Sequence, residues 1–256
     1  MTDTADTAET QDTQQTTAPR RVLIVMAHPD DGEFGSGGTL ARWAAEGRDI
    51  YYCLITDGQA GDQGDKEITS EQLAAKRQVE AQDAANALGV KHPVIFLHYQ
   101  DSRLEPTLQL RSDIARVIRR VKPDVVICQD PTRYWSGQAY INHPDHRIAG
   151  EATLGAIIPV AGTRLAFPEL AAEGLEPHEV KEVYISGTSE PDRWVDISGY
   201  LEQKIAALKA HKSQMREWDP TDMVREWAKE TANSARKHGH ELEYAEAYKY
   251  IKRGDG

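Results

Sequence analysis

The run Val22-Leu23-Ile24-Val25-Met26, closed by Ala27-His28-Pro29-Asp30-Asp31-Gly32-Glu33, constrains this chain more than any other stretch. Consecutive apolar residues that stop at a proline and a glycine read as a strand buried on both faces, the kind found in parallel sheets. An imidazole and three carboxylates follow within six residues. In open α/β sheets, ligands bind in the crevice at the carboxyl ends of the strands. Burying several acids together is costly unless each is paired, so a positive partner belongs among them. A metal ion suits that place.

The segments that follow extend this reading. Further strands are expected at residues 49–56, 94–97, 124–129 and 183–186, and helices at 40–47, from Thr69 onward, at 108–121 and at 147–157. The alternation predicts a single-domain α/β fold, Rossmann-like, with a mostly parallel sheet and helices on both faces. Thr69 and Gln72 have the spacing of a capping box. Behind them Leu73, Arg77, Glu80, Ala84 and Leu88 share one helical face, which places two charges inside an apolar stripe. Arg77 and Glu80 either form a half-buried ion pair, or Arg77 points into the site and Glu80 holds it there.

Residues 57–65 read as a long, mobile, acidic loop at a strand end, suited to a lid over the crevice or to its rim. Residues 131–142 read as a polar loop and 159–177 as irregular. Ser198 is placed to cap a helix with Leu201, Ile205 and Leu208 on its apolar face. Residues 220–256 carry a helix and many charges. Residues 1–19, rich in Thr and acids, are expected to be a disordered tail before one domain over 20–256.

Composition narrows the partners. The 256 residues include 30 Lys plus Arg against 41 Asp plus Glu, a net charge of -11. That balance argues against nucleic acid and anionic membranes, which need basic patches, and for a neutral or cationic small molecule. Cys53 and Cys128 fall in expected buried strands without the paired spacing of a metal site, as reduced core thiols would. No stretch reaches the length of a transmembrane helix, and the first residues lack a signal region. The cytoplasm is the expected location.

The chemistry concentrates in two motifs, His28-Pro29-Asp30-Asp31 and His143-Pro144-Asp145-His146, each after an expected strand. Together they offer three imidazoles and three carboxylates, a mixed N and O set that suits zinc or a similar first-row metal. A catalytic zinc keeps three protein ligands and an open position. Two His and one Asp would leave a spare carboxylate as general base and a spare imidazole as acid or oxyanion donor.

With AHPDDGEFGSGGTLARWAAEG early and INHPDH later, the chain resembles the zinc-dependent de-N-acetylases named after the GlcNAc-phosphatidylinositol deacetylase, the PIG-L or LmbE-like superfamily. The likeness runs from about Val22 to His146 and continues loosely at 76–80, 99–102 and 210–214. The resemblance implies His28, Asp31 and His146 as zinc ligands and Asp30 as the base that deprotonates the attacking water. It implies His143 as oxyanion stabiliser and proton donor, oriented by Asp145, and Arg77 and Asp101 as sugar contacts. That moves Arg77 toward the site-facing reading. The expected reaction is removal of an acetyl group from an N-acylated amino sugar or its conjugate, and such proteins often assemble as homotrimers or hexamers. The lipid-processing members carry a membrane anchor, which has no counterpart here.

Two other readings compete. Gly35-Ser36-Gly37 with Asp57 about 20 residues on imitates a dinucleotide fingerprint. Its third glycine position is Leu40, however, and Asp30, Asp31 and Glu33 would repel a pyrophosphate. A non-catalytic sugar-binding member would be expected to lack Asp30 or a ligand, and all of these are present.

Overall fold

In the computed structural model, which describes residues 20–61 and 64–254, the apolar run becomes the first strand, buried from Val22 to Met26. The tail expected over 1–19 lies outside the described residues. Along the chain come β1 (Arg21–Met26), α1 (Asp31–Ala45), β2 (Asp49–Thr56), α2 (Ser70–Ala87), β3 (Ile95–Tyr99), α3 (Leu108–Val121) and β4 (Val125–Gln129). A short hairpin, β5 (Trp135–Ser136) and β6 (Tyr140–Ile141), precedes α4 (Pro144–Gly155) and its distorted extension Ala156–Ala161. Then follow α5 (Pro168–Ala172), β7 (Glu182–Ser186), β8 (Arg193–Asp196), α6 (Leu201–Ala210), α7 (Lys212–Met215), α8 (Thr221–Arg236) and β9 (Ala245–Lys252).

The main sheet has the order β3-β2-β1-β4-β7-β9-β8. Its first five strands are parallel, and β9 runs antiparallel to both β7 and β8. Successive side chains of β1 enter opposite cores, as the twofold period of a strand requires. Val22, Ile24 and Met26 meet residues of α1, α2, α6 and α8, while Leu23, Val25 and Ala27 meet α3 and α4. The sheet is therefore mostly parallel with helices on both faces, as the sequence predicts. The chain leaves β1 toward β2 on one side and returns on the other as β4. The ends of β1 and β4 therefore flank the point where strand order reverses, which is where such sheets bind ligands.

Several elements differ from expectation. The first helix begins at Asp31, not near residue 40, and takes the glycines 32, 35, 37 and 38 into its interior. They serve packing: a Cβ on Gly38 would stand 2.7–2.8 Å from side-chain carbons of Ile197, and one on Gly37 3.1 Å from Lys204. The dinucleotide reading loses its phosphate-binding loop for this reason. Gly38→Ala is expected to destabilise the fold by about 1–3 kcal/mol through overpacking, read as a lower midpoint in chemical denaturation.

Ser198 does not cap α6. Tyr200 occupies that position, and the Ser198 hydroxyl instead donates to Asp196. The loop 131–142 contains the β5–β6 hairpin, and the irregular stretch contains α5. The charged tail supplies α8 and also β9, a strand whose buried Ala245, Glu246 and Tyr248 complete one core. Cys53 and Cys128 are free and buried, and burial pushes both thiols up to about 12.

Glu246 joins β9 to α1. Its carboxylate accepts the amides of Gly38 and Thr39 at 3.0 and 2.8 Å and pairs with Lys204 Nζ at 2.6 Å. Lys204 in turn donates to the Phe34 carbonyl at 2.7 Å. A buried pair of this kind is tolerated because every partner is hydrogen-bonded.

Candidate metal and catalytic centre

Each half of the site hangs on a strand end. The His28 amide donates to Asp31 Oδ2 at 2.8 Å, folding residues 28–31 into a tight turn before α1. Asp30 adopts a left-handed conformation there (φ 92°), which a non-glycine residue holds at a cost of about 1 kcal/mol or more. Arg77 supports that turn from behind. Its guanidinium, 3 % exposed, donates to the Pro29 carbonyl at 2.6 Å, the Gly58 carbonyl at 2.8 Å and Asp30 Oδ2 at 3.1 Å. The other half follows β4: the hairpin leads to His143 at the N-cap of α4, with Pro144 at the first helical position. That arrangement suits proline, whose missing N–H would have no partner in the first turn.

The two halves converge. His28 Nδ1 lies 3.3 Å from His146 Nε2 and 3.3 Å from Asp31 Oδ2, and His146 Nε2 lies 3.1 Å from Asp31 Oδ1. The outward nitrogens are anchored: His28 Nε2 faces Asp101 at 3.1 Å and Asp145 at 3.3 Å, and His146 Nδ1 faces Asn142 Oδ1 at 3.0 Å. With their ring protons on those outer nitrogens, both imidazoles would turn lone pairs toward each other and toward a carboxylate; with no metal ion between them a proton takes that place, for burial opposes a charge on His28, yet Asp31, Asp101 and Asp145 raise its pKa well above the ordinary value. Three acceptors at that spacing repel one another unless a cation lies between them. Tetrahedral ligands at about 2.0–2.1 Å from a metal stand about 3.3–3.4 Å apart, close to the spacing seen here. Anchored outer nitrogens are also what metal-bound histidines have. His28, Asp31 and His146 thus fit a metal ion. His143 is a further imidazole of this cluster, its ring edge-on to His28 with centroids 4.8 Å apart.

Electrostatics separate the roles. Burial opposes ionisation of Asp31, yet His146 and His28 hold its carboxyl well below the usual range. Burial pushes Asp30 up to about 6, Arg77 pulls it back, and the adjacent Asp31 pushes it up again. Burial and the neighbouring His28 lower the pKa of His143. Its Nδ1 accepts the Asp145 amide at 3.2 Å, which leaves the proton of the neutral ring on Nε2. Asp145 is 4.0 Å from His143 Nδ1 and instead accepts the Ser102 amide at 2.7 Å, beside His28. Asp101 is held down to about 2: burial works against this, and His28, the Ala60 amide and Ser102 outweigh it. Arg77 and Asp101 are thus packed behind Asp30 and His28.

Beside Asp31 and His146 opens a cavity of about 710 Å³, whose lining includes Gln129, Asp130, Arg133 and Asn142 and the rings of Phe34, Trp218 and Trp227.

Residues 23–157, more than half of the chain, match the PIG-L family, described as GlcNAc-PI de-N-acetylase. The chain belongs to the PIG-L family. Diacetylchitobiose deacetylase of Thermococcus kodakarensis is 35% identical over 206 residues, covering 78% of this chain and 74% of that protein. The 1D-myo-inositol 2-acetamido-2-deoxy-alpha-D-glucopyranoside deacetylase of Kineococcus radiotolerans is 30% identical, covering 77% and 69%. The solved N,N'-diacetylchitobiose deacetylase from Pyrococcus horikoshii superposes with a TM-score of 0.80 at 27% identity, over 92% of this chain and 85% of that one.

Within this PIG-L chain, several supporting residues escape a sequence reading. Gln129 receives the Ala27 amide at 3.0 Å and donates to Asp31 Oδ2 at 3.1 Å, tying β4 to the ligand turn. A polar residue closing an apolar strand beside β1 was its only signal. Asn142 stands four residues before His146, a spacing that foreshadows contact. Arg77 reaches Asp30 from behind the turn, and Glu80 does not hold it: Glu80 accepts the amide and hydroxyl of Ser213 at 2.8 and 2.6 Å. His211 is fully buried with its Nε2 3.4 Å from Glu33, which in turn accepts the Tyr52 hydroxyl at 2.9 Å.

If Asp30 is the proton acceptor it must be ionised, and kcat/KM is then expected to fall about tenfold per unit below an acid limb at or under pH 6. A bound cation would lower the limb further. Arg77→Met removes the positive neighbour and should move the limb upward in the measured pH profile; a downward shift would contradict the pairing.

Proposed function

We propose that this protein is a zinc-dependent N-deacetylase that hydrolyses the acetamide of an N-acetylglucosaminyl conjugate. The observation that carries this reading is the meeting of two imidazole nitrogens and Asp31 at 3.1–3.3 Å, with Asp30 beside them outside the proposed ligand set. The two deacetylase relatives and the PIG-L match support the same reaction class.

His28, Asp31 and His146 would hold the metal. When bound, zinc acts as a Lewis acid and brings the pKa of a water molecule to about 7. Asp30 accepts that water's proton as its oxygen attacks the acetyl carbon, and Arg77 keeps the carboxylate aimed by bonding both it and the Pro29 carbonyl. The Nε2–H of His143 donates to the oxyanion as the tetrahedral species forms. Asp30 then returns the proton to nitrogen, the C–N bond breaks, and acetate and the free amine leave. Asp101 and Asp145 hold His28 in the orientation and tautomer the metal requires.

The deciding experiment pairs elemental analysis of purified protein with acetate release from N-acetylglucosamine and its conjugates. Near-stoichiometric zinc with acetate release is expected. Bound metal with no acetate from any substrate would favour a non-catalytic sugar-binding role, and absence of metal would overturn the mechanism.

A further inference from the structure

The first turn of α1 carries Asp31 and follows Asp30, yet no side chain caps it: Asp30 stands at the capping position without a cap hydrogen bond. What pins that turn is Glu33, two residues after Asp31 and 1% exposed. Its Oε2 accepts the Tyr52 hydroxyl at 2.9 Å, and Tyr52 lies so close against the helix that Gly32 has no room for a Cβ. The same Oε2 lies 3.4 Å from Nε2 of His211.

His211 is the residue at which α6 ends and α7 begins. The residues after it grip other supports of the site: Ser213 bonds Glu80 on α2, and Gln214 Nε2 donates to the Gly61 carbonyl at 2.8 Å. The His211 ring is fully buried, and neither of its nitrogens completes a hydrogen bond among the described residues. A neutral imidazole in that state is costly, and a leucine would avoid the cost. A charged ring is different, because acids lie near it. Burial opposes a charge on His211, yet Glu33 of α1 and Asp30 of the preceding turn outweigh both burial and Arg77 of α2 and raise its pKa above the ordinary imidazole value. Behind the ligand turn the acids Asp30 and Glu33 are thus matched by the cations Arg77 and His211.

We propose that His211 is a positioning residue for the deacetylation: paired as an imidazolium with Glu33, it fixes the first turn of α1 and so the aim of Asp30 and the set of Asp31 toward the metal. Its effect on turnover rests on the deacetylase reading; its effect on zinc rests on the ligand geometry alone. His211 does not line the cavity, so it acts through Glu33 and not on the substrate.

The test uses the full chain as parent, as His211→Gln, as Glu33→Gln and with both substitutions together. Zinc affinity is read by competition with a chelating dye, and kcat and KM by acetate release from N,N'-diacetylchitobiose at saturating zinc. In each single variant, affinity and kcat are expected to fall by about 10–100-fold, the usual cost of losing an outer support of a metal site, while KM stays within about twofold. The double variant should lose little more than either single one, because the two residues act as one unit. Tyr52→Phe, which removes the other bond of Glu33 and is the mildest change, should move both readouts in the same direction. Nitrogen NMR of the histidine-labelled, zinc-loaded parent at about pH 7 should show a ring with both nitrogens protonated that is absent from His211→Gln. A lower denaturation midpoint with zinc affinity and kcat unchanged in the folded variants would reduce His211 to packing and overturn the proposal. Losses that add in the double variant, or a neutral His211 ring in the parent, would overturn it as well. No acetate from the zinc-loaded parent would overturn the deacetylase reading, and the dye competition and the spectrum would then decide by themselves whether His211 sets the ligand turn.

Discussion

Asp30→Asn is expected to lower kcat for acetate release by about 10²–10⁴ while the protein keeps its metal. The substitution retains size and a carbonyl oxygen for Arg77, so the turn at residues 28–31 has no steric reason to move. What it removes is the only act assigned to Asp30, taking a proton from water and giving it to the departing nitrogen. Asp31, well below the usual carboxyl range between His28 and His146, cannot substitute because its lone pairs face the ligand cluster. Steady-state turnover measured beside metal content separates the outcomes. Lost activity with retained metal supports the base, whereas unchanged turnover removes Asp30 from that role.

His146→Ala should act the other way, stripping metal rather than chemistry. The imidazole is one of the three proposed donors, and it is brought there by the start of α4 and by its hydrogen bond to Asn142. Without it two donors remain, one of them a carboxylate that Gln129 also engages. Metal per chain, measured by elemental mass spectrometry after dialysis, is expected to drop from near-stoichiometric to a small fraction, and activity with it. Asn142→Ala, which leaves the ligand but frees its ring, should fall between: second-layer changes of this kind typically weaken metal retention by about 10–100-fold.

Much of this architecture is legible in the chain because the informative signals are local. A strand buried on both faces, such as β1, β2 or β4, announces itself as an apolar run, and α3 as an apolar stripe with Thr107 as its cap. The two His-Pro-Asp motifs stand out by composition, and β1 and β4 are neighbours, so their ends meet. The sequence is silent where a residue's role depends on a distant partner. The glycines of α1 look like a loop until Tyr52, Ile197 and Lys204 are seen packed against them. β9 reads as a charged tail because its Glu246 is inward and its lysines are not, inverting the usual pattern, and only the pairing with β7 and β8 explains it. Arg77 was visible as a charge in an apolar stripe, but Glu80's attachment to Ser213, 133 positions away, was not.

The bond between Glu246 and the amides of Gly38 and Thr39 spans about 208 positions of chain. During synthesis the amino-terminal segment leaves the ribosome first, and the helix that carries Asp31 must wait for nearly the whole polypeptide before those two amides find their acceptor. Until then it has neither β9 at its flank nor Lys204 on the Phe34 carbonyl. A nascent chain halted before residue 245 is therefore expected to bind metal poorly even though both His-Pro-Asp motifs have already been made, so that capture of the ion becomes a late event in the life of each molecule.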